Sequence, residues 1–325
     1  MKLSPNYLSD GACYVEARDS LLRHRFLVSK EFLLESIRKN DPQINACVPA
    51  DNDIKETIKN DLVNLWKNAN WGESLEYYLW SRRHIFSDSQ LNRDERLHAQ
   101  IDMLESYIAE SNDIPLPRAA NLNKAIILPH QFKETTYEIG KALKLRSCST
   151  LKSQANLTLE DLSYILYFGL RDIVKFRYPS EDNLKHDLLF SFGRSFEFFI
   201  VVYEINGLTP GSYYYDPCSH TLELIDEGDL REEMVDILIG HSTPRVASCS
   251  ILIVQNHKIS QWQYRHERSL RNSYYDCGRI MQRLLLAATA RNANTHITPA
   301  CIDSRAESLL KLIQGEQQLY YTLTI

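Results

Sequence analysis

The sequence predicts an α+β fold, and three observations carry that prediction. Phe196–Ile205 (FEFFIVVYEI) and Val246–Gln255 (VASCSILIVQ) are apolar runs rich in β-branched and aromatic residues, the composition of strands buried on both faces. The turn GLTPG follows the first run and leads into two short strands, SYYYD and HTLELI, a hairpin arrangement rather than a helical crossover. Helical periodicity appears before, between and after these strands. Hairpins and helices interspersed in this way favour α+β over a doubly wound parallel sheet.

The first third reads as helical. Asp51–Asn52 can cap a helix whose apolar positions Ile54, Ile58, Leu62, Leu65 and Trp66 share one face. Leu75, Tyr78 and Leu79 mark another helix, and Leu97, Ile101, Leu104 and Ile108 a third. In SNDIPLPRAANLN, Ser111 to Asn123, two prolines remove backbone donors and fix φ, which makes this stretch the best domain boundary. The expected organisation is therefore a mostly helical region over 1–115 and a second domain over 116–325. In the latter, a helix runs from about Phe132 to Leu145, and Thr158 caps one carrying Leu162, Ile165 and Leu166. A helix around Leu230, Met234 and Ile237 precedes the second buried strand. A long apolar helix from roughly Ser273 to Arg291, a short one from Ser304 to Ile313 and the strand QLYYTLTI complete the chain.

Composition narrows the function classes. At 325 residues, 44% hydrophobic and 24% charged, the chain needs no disulfide or metal staple to bury a core. A net charge of -5 argues against a general nucleic-acid binder. The first twenty residues lack the apolar centre of a signal peptide, and no apolar run approaches the roughly 18–20 residues of a membrane span. Seven cysteines without a CxxC pair do not form a disulfide framework, so a reducing cytoplasm is the expected location. GxGxxG, GxxxxGK[ST], GxSxG and HExxH are all absent, and nothing completes a metal set around Cys218 and His220.

Three segments carry the functional reading. KLRSCST, Lys144 to Thr150, offers a forked Arg146 and the hydroxyls of Ser147 and Ser149, donors suited to a phosphate as well as to a solvated helix end. FGRSFEFFIVVYEINGLTPGSYYYD joins a glycine-containing loop to a buried strand and an aromatic hairpin. QWQYRHERSLRNSYYDCGRIMQRLLLAATA, Gln261 to Ala290, runs a cationic aromatic segment into a helix. Its internal Gly278 costs about 1 kcal/mol, so a close backbone approach is expected there.

Taken together, Leu157–Gly169, Gly207–Pro217, Trp262–Ala290 and the closing DSRAESLLKLIQGEQQLYYTLTI resemble the SagB-type branch of the nitroreductase superfamily, which includes azoline oxidases of peptide-modifying complexes. NLWKNANWGESLEYYLWSRRHIF, Asn64 to Phe86, resembles that family's N-terminal helical region. The resemblance implies a nitroreductase-like FMN fold: a central, mostly antiparallel sheet flanked by helices, dimeric, with the flavin in the subunit interface. It also implies a peptide substrate and a homodimer that can sit within a larger biosynthetic complex. By the same resemblance Arg146, Ser147 and Ser149 face the flavin phosphate, Ser191 and Gly193 belong to the loop near the ring, and Arg271 and Gly278 lie close to the cofactor. The family's catalytic Lys–Tyr pair falls on Gln263 and Tyr264.

The chain departs from this pattern at several points. Gln263 cannot act as a base, Arg279 replaces the family's histidine, and the PSxG loop has two registers, Pro179–Ser180 or Ser191–Phe192–Gly193. The second sits at nearly the family spacing and is about two residues short. The leading expectation is an FMN-dependent dehydrogenase acting on an azoline or related carbon–heteroatom bond in a peptide. In it Tyr264 handles the proton, with its pKa lowered by Arg265, His266 or Arg268. The competing expectation is a non-catalytic scaffold subunit of a biosynthetic complex, and a third is a generic nitro or quinone reductase.

Overall fold

The computed structural model describes residues 2–7, 13–19, 24–29, 66, 68–82, 90–110, 113–132, 138–146, 157–175, 177–189 and 192–325. By its contacts the chain divides into two compact units, Met1–Ser87 with His266–Arg268, and Asp88–Arg265 with Ser269–Ile325.

The first unit opens with a three-stranded antiparallel sheet that the helical reading of the N-terminus does not foresee: β1 (Lys2–Tyr7), β2 (Cys13–Asp19) and β3 (His24–Ser29). Helix α1 (Gly72–Arg82) follows, where Leu75 and Tyr78 predict one, and Tyr78 stacks on Trp66 at 5.3 Å. The capped helix expected over Ile54–Leu65 lies outside the described residues. The larger unit begins with α2 (Arg93–Glu110), so the third N-terminal helix belongs by its contacts with the flavin-fold half, and this division falls ahead of the proline-rich stretch.

The larger unit is built on a seven-stranded sheet ordered β4 (Ala125–Ile127), β7 (Thr221–Glu227), β6 (Gly211–Asp216), β5 (Phe196–Val202), β8 (Cys249–Asn256), β10 (Gln317–Thr324), β9 (His296–Thr298). Every adjacent pair is antiparallel. β5 and β8 are buried at every position, as their unbroken apolar sequence requires. Period-two alternation divides their side chains between two cores. On one face Phe196, Phe198, Ile200, Tyr213, Tyr215, Ile251 and Ile253 pack against α4 (Leu159–Val174) and α8 (Ser269–Ala290). On the other, Phe199, Val201, Tyr203, Tyr214, Leu252 and Val254 pack with α6 (Arg231–Ile237) and α9 (Asp303–Leu310).

Three local choices orient the site. Thr158 closes a capping box with Asp161 at the start of α4. Arg291, beyond the end of α8, bonds Glu160 at 3.1 Å and also Asp161, which ties the two helices together. Helix α3 (Ile139–Leu145) packs against α8, while α5 (Leu184–Leu189) and α7 (His257–Gln263) are short helices either side of the β5–β8 pair in sequence.

Candidate functional site

Where α5 gives way to β5, the chain turns through Gly193 at φ +72°, a left-handed conformation that a side chain resists. A Cβ there would also meet Ile173 of α4 at 3.0 Å. This turn, the C-terminal half of α7 and the first turns of α8 enclose a cavity of about 250 Å³, whose walls include Gly193, Ser195, Gln263, Tyr264, Asp276 and Arg279.

Gln263 ends α7 with its amide buried. Nε2 donates to the Leu188 carbonyl at 2.5 Å and to Tyr264 Oη at 3.2 Å. Tyr264 is the C-cap residue of α7 and keeps 38% of its surface exposed. Burial pushes its phenol pKa up and Asp276 adds to the rise, while Arg194 opposes it. The expected lowering by Arg265, His266 or Arg268 is therefore overturned. Arg265 points elsewhere, lying 3.7 Å over the Tyr107 ring and pairing with Glu110 of α2. Asp276, across the same cavity, has its carboxyl pKa raised by burial despite its 3.1 Å pair with Arg279. Arg279 in turn lies 3.9 Å over Phe192.

Arg194 is the residue that sequence reasoning missed. It is 1% exposed, and Nε, Nη1 and Nη2 have no hydrogen-bond partner among the described residues. Desolvation pulls its pKa down to about 10, with Tyr264 acting in the opposite direction. Its only signal in the sequence is a cation between the loop glycine and a strand too apolar to expose it.

The remaining expected site residues separate. Ser147, Ser149 and Ser191 lie outside the described residues. Arg146 is the half-buried C-cap of α3, its N–H donating to the Ala142 carbonyl at 2.8 Å, and Arg271 is half-buried on α8. Neither is a wall of the cavity. Gly278 lines a second cavity of about 600 Å³ that shares Phe192 and Arg279 with the first. Among the described residues no atom lies within 4 Å of a Cβ built on Gly278, so space stands open over its backbone. The loop register Pro179–Ser180 leads into α5 rather than into the cavity wall, whereas Gly193 of the alternative register lines it.

These features fit a flavin. A buried guanidinium whose three nitrogens find no partner among the described residues suits an anion or carbonyl acceptor. Gly193 keeps one wall free of a side chain, and open space stands over Gly278. Among the described residues no group of His, Cys, Asp and Glu could hold a metal ion, and no helix is long and apolar enough to cross a membrane.

Comparison with known proteins agrees with this architecture. The Trifolitoxin operon protein TfxC of Rhizobium leguminosarum bv. trifolii is 26% identical over 266 residues, 77% of this chain and 70% of that protein. Among solved structures, a nitroreductase-like protein from Anabaena variabilis has 24% identity and a TM-score of 0.47 over 56% of this chain. The match spans only 36% of that solved chain. The E. coli microcin synthetase McbBCD complex with truncated pro-MccB17 bound has 16% identity and a TM-score of 0.42, over 74% of this chain and 97% of that one. The Nitroreductase family model matches residues 143–325, more than half of the chain, and with it β5, β6, β8, α4 and α8. The chain belongs to the Nitroreductase family, whose members are flavoprotein oxidoreductases.

Proposed function

We propose that this protein is an FMN-dependent dehydrogenase of the SagB type, oxidising an azoline or related carbon–heteroatom bond in a peptide natural product. The observation that carries the reading is the cavity in which Gln263, Tyr264 and Asp276 converge, with Tyr264 in the field of the buried Arg194 guanidinium. The motif resemblance over Trp262–Gly278 and the relationship to a protein of the trifolitoxin operon support the peptide context.

FMN, when bound, supplies the hydride acceptor. The chain's own residues do the rest. Arg194 offers buried donors to an electron-rich edge of the cofactor, and Arg146, with Ser147 and Ser149, serves the phosphate. Ser191, Gly193, Arg271 and Gly278 complete the cofactor's surroundings. Gln263 holds Tyr264 Oη by hydrogen bond. The phenol, kept protonated by burial, relays the substrate's proton: it accepts one at Oη while releasing its own toward the Asp276 carboxylate.

The assembly we propose is a homodimer, alone or within a larger biosynthetic complex. Ile139 and Leu143 of α3, with Tyr274 and Tyr275 of α8, are more than half exposed on two helices that pack together, an apolar surface that a second subunit would cover. Residues 1–115 are proposed as the region that recognises peptide or partner, and 116–325 as the flavin domain.

A scaffold role has one specific observation in its favour: Gln263 uses its amide to brace the Leu188 carbonyl, a structural task. Visible absorbance and mass spectrometry of the purified protein separate the readings. Bound FMN that is bleached anaerobically by an azoline-bearing peptide supports the dehydrogenase. Protein that neither retains nor rebinds flavin is a scaffold.

A further inference from the structure

A third cavity, of about 540 Å³, opens on the sheet face that carries α6 and α9, away from α4 and α8. Its floor is the carboxylate of Glu197, 1% exposed. Glu197 Oε1 accepts from Asn256 Nδ2 at 3.1 Å and Oε2 from Gln317 Nε2 at 2.7 Å. Each oxygen keeps capacity for a further hydrogen bond. Both donors are neutral amides, and no ion pair to Glu197 forms among the described residues. Arg177 influences it through space but directs its hydrogen bonds to the Phe196 carbonyl, 2.7 Å, and the Tyr214 hydroxyl, 3.1 Å. A buried carboxylate that lines an open cavity and has no directly bonded cation among the described residues has room for one.

The walls are mixed: two apolar flanks stand among polar side chains that include Asp113 and Glu316 as well as Asn256 and Gln317. Ile114, Pro115 and Leu116 form one side, Phe199, Ile259 and Ile313 the other. The prolyl segment is pinned because the hydroxyls of Tyr178 and Tyr214 both donate to the Arg118 carbonyl. Arg118 also lies 4.6 Å over Tyr214 and pairs with Glu223 at 3.0 Å. Of the other rim cations, Lys311 donates to the Ile225 carbonyl at 3.0 Å, and Lys258 is exposed. Two apolar flanks above a buried carboxylate, with the further carboxylates of Asp113 and Glu316 in the lining, match a positive group on an alkyl stem.

We infer that this cavity is a binding site for an alkylammonium or alkylguanidinium group, the chemistry of a lysine or arginine side chain, separate from the cavity beside Tyr264. Glu197 receives the cation through charge-assisted hydrogen bonds, while Ile114, Leu116 and Ile313 cover the methylenes. The inference needs no flavin and is independent of the redox reading.

The test is calorimetric titration of the purified full chain with pentylammonium and butylguanidinium, against pentanol and pentanoate. Fragments of this size that fill such a site bind with dissociation constants on the order of a millimolar. The cations bind at least tenfold more tightly than pentanol, and pentanoate shows no binding. Glu197→Gln removes the preference for the cations, with the melting temperature measured alongside. Should that variant fail to fold, Ile313→Lys, at an exposed position on the mouth, weakens the cations without touching the floor. Equal binding of pentanol and the cations, or unchanged binding to both variants, overturns the proposal. So does wild-type protein that ignores the cations while Lys258→Gln binds them, because Lys258 would then be the occupant of the site.

Discussion

Gln263 Nε2 donates to Tyr264 Oη at 3.2 Å while also holding the Leu188 carbonyl, so one buried amide fixes the phenol to the end of α5. A lysine at this position could exchange a proton with substrate, but an amide can only orient its neighbour. In the proposed dehydrogenase, proton handling therefore falls to Tyr264. Tyr264→Phe is expected to lower flavin reduction by about 10²–10⁴-fold, the range for loss of a positioned acid–base group, with bound FMN unchanged. Gln263→Lys leaves reduction intact or raises it. Single-turnover bleaching of the flavin by the peptide reads both variants, and an unaltered rate in Tyr264→Phe removes that residue from the chemistry.

Arg194 makes a prediction with opposite signs in two assays. A buried guanidinium with no hydrogen-bond partner among the described residues costs about 1–3 kcal/mol in the unliganded protein, because its donors leave water without replacement bonds there. Arg194→Met removes that cost and keeps the packing volume, so the flavin-free protein should unfold at higher denaturant concentration. The same substitution should weaken FMN binding at least tenfold, read by fluorescence titration. A variant that lowers stability and leaves FMN affinity unchanged assigns Arg194 to the core instead.

Arg146, at the C-cap of α3, tests the phosphate end. An arginine paired with a phosphate is worth about 1.5–3 kcal/mol, so Arg146→Ala should weaken FMN roughly 10- to 150-fold. Riboflavin, which lacks the phosphate, should bind wild type and variant alike. If FMN binds both equally, Arg146 is a solvated helix end.

Much of the fold was legible because its core strands carry unmistakable composition. β5 and β8 are buried on both faces, so their sequences are apolar without interruption, and the Thr158–Asp161 capping box marks α4 at the residue where it begins. β4 and β9 were not legible: three residues, partly exposed, are too few for a period to appear. The site was legible in part. Gln263, Tyr264 and Gly193 do line one cavity. The charge acting on Tyr264 was not, because neighbours in sequence such as Arg265 are engaged by Tyr107 and Glu110, while Arg194 comes from the turn before β5, distant in sequence.

The last prediction concerns pH and the enclosed imidazole of His220. Its Nδ1 meets Tyr215 Oη and its Nε2 meets Ser163 Oγ, both at 2.7 Å. Ser163 Oγ donates onward to the Pro129 carbonyl at 2.6 Å, which leaves its lone pair to accept from Nε2–H. Tyr215 then donates to Nδ1. That chain of bonds requires the neutral imidazole, and burial, with His130 stacked 4.7 Å away, pushes the pKa down to about 4 from 6.5. In the unfolded chain the ring is protonated near its ordinary value, so between those limits the unfolded state binds more protons than the folded one. The stability His220 confers is complete above about pH 6.5 and is lost progressively as pH falls toward 4, amounting to about 1–3 kcal/mol. His220→Asn suits the left-handed backbone at this position, φ 52°, and cannot titrate. Denaturant unfolding at pH 7.0 and 5.0 should show a drop in wild type that exceeds the drop in the variant by most of that amount. Equal drops mean that the imidazole is protonated in the fold, with Nδ1–H donating to Tyr215 Oη while Nε2–H still donates to Ser163 Oγ.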